Sequence, residues 1–321
     1  MSRRNILLCF DAFGTLFYPR PSVPEQYAAV ARKCGLNSVT AEQVKASFKD
    51  AYLAAQNAHP NYGKATGMGA NRWWTEVIHD TFQSITGLPR NALPQDLAPR
   101  LLRRFMSSEG YAVAPGVVSL LRKLKEKEHL QQSKDRLRIL VGVITNSDDR
   151  VPSVLSSFGL RVSPARFGTP FNAAELARRQ RQGQIFDVDI HCMSYDVGVG
   201  KPDKRIFDAA VVMANELATA IVEIEAMEEG RPPPTLGPWL KIYVGDEYVN
   251  DVLGARKAGW NAVYVGSEDE LPTEEQFVDA QELSHVKTLE ELFCNGHNGP
   301  PTIRAKDTQK ILEWLVERCG V

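Results

Sequence analysis

The chain has 321 residues, 43 % of them apolar, with 38 basic and 39 acidic side chains and a formal net charge of −1. That apolar content excludes a disordered chain and supports one large domain, or a domain with a second inserted in it. The charge balance excludes a global field that would draw the protein to nucleic acid or to an anionic membrane, and no apolar run reaches the roughly 20 residues of a bilayer-spanning helix.

The first element is the apolar run Ile6-Leu7-Leu8-Cys9-Phe10, which reads as a buried strand, with Gly14 turning the chain just beyond it. Asp11 ends that run. It is thereby placed at the C-terminal edge of a strand, where open α/β sheets bind ligands, although an aspartate there also serves as a plain cap. From about Val23 to Met106 there is little strand character. Val44, Phe48, Ala51 and Tyr52 share one helical face, and Trp73-Trp74, Val77-Ile78 and Phe82 recur at helical spacing. Residues 21–106 are read as an all-α module inserted into a core made of 1–20 and 107–321.

Beyond Tyr111 the pattern changes. Pro115-Gly116 opens a helix over Val117 to Leu124, Leu137 to Ile144 reads as a parallel strand, and Val151 to Phe158 as a helix. Phe186 to Met193 is a further strand, and Pro202 opens a helix through Met213. Ile242 to Val244 is a strand, Val249 to Ala258 a helix, and Ala262 to Val265 a strand. This alternation predicts an α/β fold with a Rossmann-like parallel sheet. Two stretches read as additions. One, near 163–184, carries Arg166, Arg178, Arg179 and Arg181 and is a solvated loop with a short helix, or else a basic contact patch. The other, near 223–237, contains Pro232-Pro233-Pro234 and reads as an exposed loop. Pro300-Pro301 marks a break before a last amphipathic helix with Ile311, Leu312, Leu315 and Val316. Cys9, Cys34, Cys192, Cys294 and Cys319 are odd in number and without a Cys-x-x-Cys pair, the pattern of reduced thiols. Met-Ser-Arg-Arg-Asn lacks a signal-peptide core, so a cytoplasmic or nuclear protein is expected.

Four polar groups fall at strand or helix edges: Asp11, Thr145-Asn146, Lys201-Pro202 and Gly245-Asp246 with Asp251. Parallel strands present their C-terminal ends on one edge, so these groups can converge. Asp11 is a candidate nucleophile for phosphorus, forming an aspartyl-phosphate. Asp11, Asp246 and Asp251 supply hard oxygen ligands of the kind Mg²⁺ takes. Thr145 and the N–H groups of the Phe13-Gly14-Thr15 turn can donate to phosphoryl oxygens, and Lys201 offsets accumulating charge and holds Asp11.

On those residues the chain resembles the haloacid dehalogenase-like hydrolase superfamily. Its four motifs stand in order as Asp11-Ala12-Phe13-Gly14-Thr15-Leu16, Val143-Ile144-Thr145-Asn146, Val199-Gly200-Lys201-Pro202-Asp203, and Gly245-Asp246 through Asn250-Asp251. The helical insertion resembles the cap of the dehalogenase-like subclass. Asn61-Tyr62-Gly63 with Trp73-Trp74 resembles the branch of haloacid dehalogenase-like hydrolase domain-containing protein 3. The similarity spans roughly residues 5 to 270 and leaves out the two additions and the C-terminal tail. It implies Asp11, Thr145 and Lys201 as catalytic, Gly14, Thr15 and Asn146 as substrate-binding, and Asp11, the Phe13 carbonyl, Asp246 and Asp251 around Mg²⁺.

One position departs from the pattern. Phosphatases of the superfamily carry a second aspartate two residues after the nucleophile, as acid and base, where this chain has Phe13. Its loss forfeits about 10²–10⁴-fold in rate; Asp148, Glu247 and Tyr18 are the stand-ins near a motif. Three functions follow: a Mg²⁺-dependent phosphatase of a small phosphorylated molecule, a dehalogenase-like hydrolase, or a binding protein for a metabolite or protein on a silenced fold. The resemblance also gives the cap the task of selecting substrate, so Tyr62, Arg72, Trp73 and Trp74 either face a ligand or form cap core.

Overall fold

The structure, a computed structural model, describes residues 5–130, 137–266, 280–292 and 302–318. Cys294, Cys319, Pro300-Pro301 and the N-terminal Met-Ser-Arg-Arg lie outside the described residues. The strands are β1 (Asn5–Phe10), β2 (Phe17–Pro19), β3 (Tyr111–Val113), β4 (Arg138–Thr145), β5 (Ile190–Met193), β6 (Trp239–Gly245), β7 (Asn261–Val265), β8 (Ala280–Glu282) and β9 (Thr302–Ala305). The helices are α1 (Val23–Lys33), α2 (Ala41–Ala58), α3 (Ala70–Thr86), α4 (Leu97–Arg104), α5 (Val117–Leu130), α6 (Val151–Ser157), α7 (Ala173–Arg181), α8 (Ser194–Val197), α9 (Lys204–Glu228), α10 (Gly254–Lys257), α11 (Leu289–Leu292) and α12 (Thr308–Arg318).

Seven strands form a parallel sheet in the order β5-β4-β1-β6-β7-β9-β8. Every residue of β1 and of β4 is buried, which is why their sequences are continuous apolar runs and not alternating ones. β1 pairs with β4 on one side (Phe10 with Val143) and with β6 on the other (Phe10 with Val244). The chain runs outward from β4 to β5 and then returns to the far side of β1 at β6. That reversal puts a topological switch point beside β1, so the crevice at its C-terminal end is the natural ligand site. The α/β fold with a Rossmann-like parallel sheet is thus present.

Contact density divides the chain into two compact units. The sheet unit is 1–17, 113–146 and 159–321; the other comprises Tyr18–Ala112 and Ser147–Phe158. The second unit contains α1 to α4. Thr40 caps α2, its hydroxyl accepting from the Gln43 N–H while Gln43 accepts in turn from the Thr40 N–H. α2 packs on α1 and α3 around Ala51, Trp73 and Val77, with Phe48, Tyr52, Tyr62 and Trp74 against them. The Trp73 indole is buried and donates to the Ala55 and His59 carbonyls, so this tryptophan is core. Arg72 is exposed.

The boundaries differ from the expected 21–106. Residues 147–158, assigned to the core by sequence, belong with the helical unit. The Ser157 hydroxyl accepts from the Ser108 N–H, and the Trp74 indole donates to Asp148. The Arg150 guanidinium lies 4.3 Å over the Trp74 ring, with its Nε 2.9 Å from Asp148 Oδ1. Strand β2 pairs with β3, so the insertion starts and ends on a short two-stranded ribbon that the reading of an all-α module missed.

Other elements also shift. The expected helix from Pro202 to Met213 runs on as α9 to Glu228, because its apolar positions continue through Leu217, Ile221 and Ile224, all buried. This shortens the loop expected near 223–237. The expected strand Phe186 to Met193 narrows to β5. Its upstream part still meets β4, the Asp189 N–H donating to the Val141 carbonyl at 2.7 Å, and the stretch near 163–184 is tied in by isolated bridges, Val162 with Val188 and Arg166 with His191. The basic-patch alternative finds Arg166 paired to Asp196, Arg179 to Glu175 and Arg181 to Glu228, which spends most of the positive charge locally. Among the described residues no helix is long and apolar enough to cross a membrane.

Candidate active site

β1 delivers Asp11 one residue past its last paired position, and the Asp11 N–H still donates to the Val244 carbonyl at 2.9 Å. The chain then turns tightly. The Leu16 and Phe17 N–H groups both donate to the Ala12 carbonyl, and Gly14 takes φ +83°. That left-handed conformation is cheap only for glycine. A second reason for glycine is steric: an added Cβ would lie 2.5 Å from Asp246 Cγ. The Gly14 N–H donates to the Phe17 carbonyl at 2.9 Å. The turn uses that donor, expected to face a phosphoryl oxygen, to close itself. Phe13 is half-buried, its ring edge-on to Phe17 with centroids 4.7 Å apart.

Lys201 is the hub of the site. It is buried, its ammonium donating to Asp251 Oδ1 at 2.6 Å and to the Tyr243 hydroxyl at 2.8 Å, with Asp11 Oδ1 ion-paired to it at 2.9 Å. Burial alone would lower its pKa, but the Asp11 and Asp251 carboxylates outweigh that, and the pKa stands above its ordinary value. Lys201 is a cation at any ordinary pH.

The Asn146 amide frames that lysine. Its Oδ1 accepts from the Lys201 N–H at 2.6 Å, and its Nδ2 donates to the Lys201 carbonyl at 2.9 Å. Gly200 permits this approach, since a Cβ there would lie 2.6 Å from Asn146 Oδ1. The amide expected to bind substrate therefore grips the Lys201 backbone and positions the lysine. Thr145 is buried at the last position of β4, adjacent to Asn146.

Asp246 and Asp251 arrive on the β6 end and a π-helical turn, Tyr248–Leu253, where an α-helix was expected from Val249. Asp251 is buried, with Oδ2 accepting from the Glu247 N–H at 2.8 Å. Gly245 makes room, a Cβ there being 2.6 Å from Asp251 Cβ. Asp246 accepts from the hydroxyl of Thr15, a residue expected to bind substrate, at 2.7 Å. Burial pushes the Asp246 carboxyl up to about 7; the Thr15 hydrogen bond opposes this, and the Asp11 and Asp251 charges add to it. Burial likewise raises Asp251, against the pull of Lys201.

Asp11, Asp246 and Asp251 each offer an oxygen within 4.8 Å of the others. Three carboxylates around a single ammonium leave excess negative charge in a partly dry site. A hard divalent cation relieves it, so the donor set fits Mg²⁺.

Tyr243 was missed by sequence reasoning. Fully buried in β6, it donates its hydroxyl proton to the Ile144 carbonyl at 2.7 Å and lies 3.3 Å from Asp251 Oδ1. The only signal was a hydroxyl-bearing residue inside an apolar strand. Of the stand-in acids, Asp148 is buried in the helical unit with Trp74 and Arg150, Glu247 accepts from the Asn250 amide, and Tyr18 is exposed on β2.

A family model for haloacid dehalogenase-like hydrolases matches residues 7–222, well over half the chain, and a second, for HAD-hydrolase-like proteins, matches 198–292. The chain belongs to the haloacid dehalogenase-like hydrolases. Relatives of this hydrolase include haloacid dehalogenase-like hydrolase domain-containing protein 3 of Xenopus laevis, 28% identical over 259 residues and covering 81% of this chain and 83% of that protein. Another is an uncharacterized hydrolase of Schizosaccharomyces pombe, 27% identical over 258 residues, 80% of this chain and 89% of that one. Among solved structures, a 2-haloacid dehalogenase from Pseudomonas syringae pv. Tomato DC3000 aligns at TM-score 0.50 and 16% identity, over 97% of this chain and 98% of that one. At that identity the likeness speaks for the shared fold and not for a shared reaction.

Proposed function

We propose that this hydrolase is a Mg²⁺-dependent phosphatase of a small phosphorylated molecule, acting through an aspartyl-phosphate on Asp11. The observation that carries the reading is the convergence of the Asp11, Asp246 and Asp251 carboxylates, with Lys201 paired to Asp11 and Asp251. Attack on the carbon of a haloacid has no need of three adjacent carboxylates, whereas phosphoryl transfer uses a cation held by them. Asp11, Asp246, Asp251 and the Phe13 carbonyl would hold Mg²⁺, which when bound neutralises phosphate charge and orients the phosphoryl group.

The chain's own residues account for the remaining steps. Lys201 engages Asp11 Oδ1 and so leaves Oδ2 as the attacking atom. A new O–P bond forms as the ester P–O bond breaks, and the leaving oxygen departs with the electron pair. Lys201 and the Thr145 hydroxyl balance the negative charge on the phosphoryl oxygens. Water then cleaves the acyl phosphate, freeing inorganic phosphate and restoring Asp11. Phe13 offers no proton to the leaving oxygen, so turnover is slow unless the leaving group is already a weak base.

The test is phosphatase activity of the full chain on an aryl phosphate and a panel of metabolite phosphates, with Mg²⁺ or EDTA, beside Asp11→Asn. Turnover that requires both Mg²⁺ and Asp11 is expected, together with a gain in rate in Phe13→Asp on substrates with basic leaving groups. Turnover that survives in Asp11→Asn would overturn the proposal. Phe13 also favours a second reading, a binding protein on a silenced site, which predicts that ligand affinity survives in Asp11→Asn without turnover by either protein.

A further inference from the structure

Strand β9 and helix α12 follow residue 292, where the family-model matches end. Helix α12 nevertheless reaches the site. The Asp307 carboxylate caps α12, accepting from the Lys310 N–H at 2.9 Å. With capping supplied by Asp307, the hydroxyl of Thr308 is free to turn inward. It is buried and donates to the Thr15 carbonyl at 2.7 Å, across 293 residues of sequence. Thr15 in turn donates its own hydroxyl proton to Asp246 Oδ1 at 2.7 Å. Two hydrogen bonds in series thus run from the last helix, through the turn after the nucleophile, to a carboxylate of the cluster.

The helix that starts this relay is well anchored. α12 packs on α5, with Ile311, Leu312 and Leu315 buried. Its Val316 carbonyl accepts from Lys127 Nζ at 3.1 Å, and the Trp314 indole donates to the Val286 carbonyl at 2.9 Å. The motif-one turn, by contrast, is short and contains Gly14 in a left-handed conformation. A buried carbonyl such as that of Thr15 needs a donor, and a fixed one also fixes the direction of the peptide that carries the Thr15 side chain.

We propose that Thr308 is a positioning residue for the active site: from outside the segments matched to the family, it holds the motif-one turn and, through the Thr15 hydroxyl, aims Asp246 at the cation. The catalytic consequence rests on the reading of Asp246 as a cation ligand; the mechanical one does not.

Thr308→Val and Thr308→Ser separate the two. In the full chain, hydrogen exchange over residues 12–17 is expected to quicken in Thr308→Val and return to the wild-type rate in Thr308→Ser. Mg²⁺ affinity by calorimetry and kcat on an aryl phosphate are expected to fall about tenfold in Thr308→Val, with KM little changed and Thr308→Ser restoring both. Tenfold is what one net hydrogen bond is worth. Wild-type exchange over 12–17 in Thr308→Val would overturn the proposal. So would quickened exchange with unchanged Mg²⁺ affinity and kcat, which would leave Thr308 a purely structural contact. If the wild type itself neither binds Mg²⁺ nor turns over, it is the phosphatase reading that fails, and the exchange arm alone decides whether Thr308 holds the turn.

Discussion

Gly14 leaves the space that the Asp246 carboxylate fills: a Cβ on Gly14 would lie 2.5 Å from Asp246 Cγ, in a backbone conformation with φ +83°. Gly14→Ala must therefore either straighten the turn or displace the carboxylate. A misplacement of about 1 Å costs on the order of a hundredfold in rate, and overpacking costs about 1–3 kcal/mol. Both are expected together, read as kcat on an aryl phosphate and as the urea midpoint. Wild-type values of both would show that the turn has slack.

Tyr243→Phe keeps the ring that packs edge-on to Phe207, at 5.2 Å between centroids, and removes only the hydroxyl. Lys201 then loses one of its acceptors, and the buried Ile144 carbonyl loses its donor. A loss of about 1–3 kcal/mol is expected, the cost of leaving buried polar groups unpaired, together with lower kcat. An unchanged denaturant midpoint would mean that ring packing alone accounts for Tyr243.

His191 predicts the acid limb of stability. It is fully buried, with Nε2 3.1 Å from the Ser163 carbonyl. Burial depresses its pKa to about 4 from an ordinary 6.5; the Ser163 hydrogen bond opposes this and the Arg166 charge adds to it. Between those values the unfolded chain binds the proton and the folded chain does not. Stability therefore falls as the pH drops from 6.5 towards 4, and the trend levels off below that. His191→Gln keeps a donor for Ser163 and removes the titration. The difference in Tm between pH 7 and pH 5 should shrink in that variant; an unchanged difference would assign the acid sensitivity to other groups.

In the helical unit, Trp74 donates to buried Asp148 and lies under Arg150, while its ring sits near Phe48 and Tyr52. Trp74→Phe retains an aromatic ring but no donor. A cost of about 1–3 kcal/mol is expected from the Asp148 Oδ2 left without its donor, while Arg150 still pairs with Oδ1. Phosphate-ester KM offers a separate readout: no change in KM would place Trp74 in the core alone, and a rise would implicate it in substrate selection.

That Asp11, Lys201, Asp246 and Asp251 come together was legible in the sequence because each follows an apolar run or precedes a helix, and parallel strands bring such ends to one edge. What the individual donors do was less legible. Asn146 and Thr15 carry the right groups for phosphate, but their hydrogen bonds go to Lys201 and Asp246, a matter of side-chain direction that motif spacing does not encode. Tyr243 was hidden inside an apolar strand, since a hydroxyl at a ring's tip does not disturb the hydrophobic pattern. Thr308 was beyond reach for another reason: nothing local to α12 indicates that its first turn faces residue 15. The length of α9 was misjudged because Pro202 marks where a helix can begin and says nothing of where it stops.

Strand β1 lies between β4 and β6, and Asn5 is paired with both Arg138 and Trp239. A ribosome delivers Asp11 well before the neighbours of β1. Helices α1 to α4 pack on one another within a short stretch of chain, whereas β1 waits unpaired for partners that emerge well over a hundred residues afterwards. Loop closure over such distances is slow and exposes sticky edges meanwhile. A nascent chain halted before α12 would carry all four motifs yet lack the Thr308 contact to Thr15. The turn after Asp11 therefore gains this donor only once α12 has followed it out.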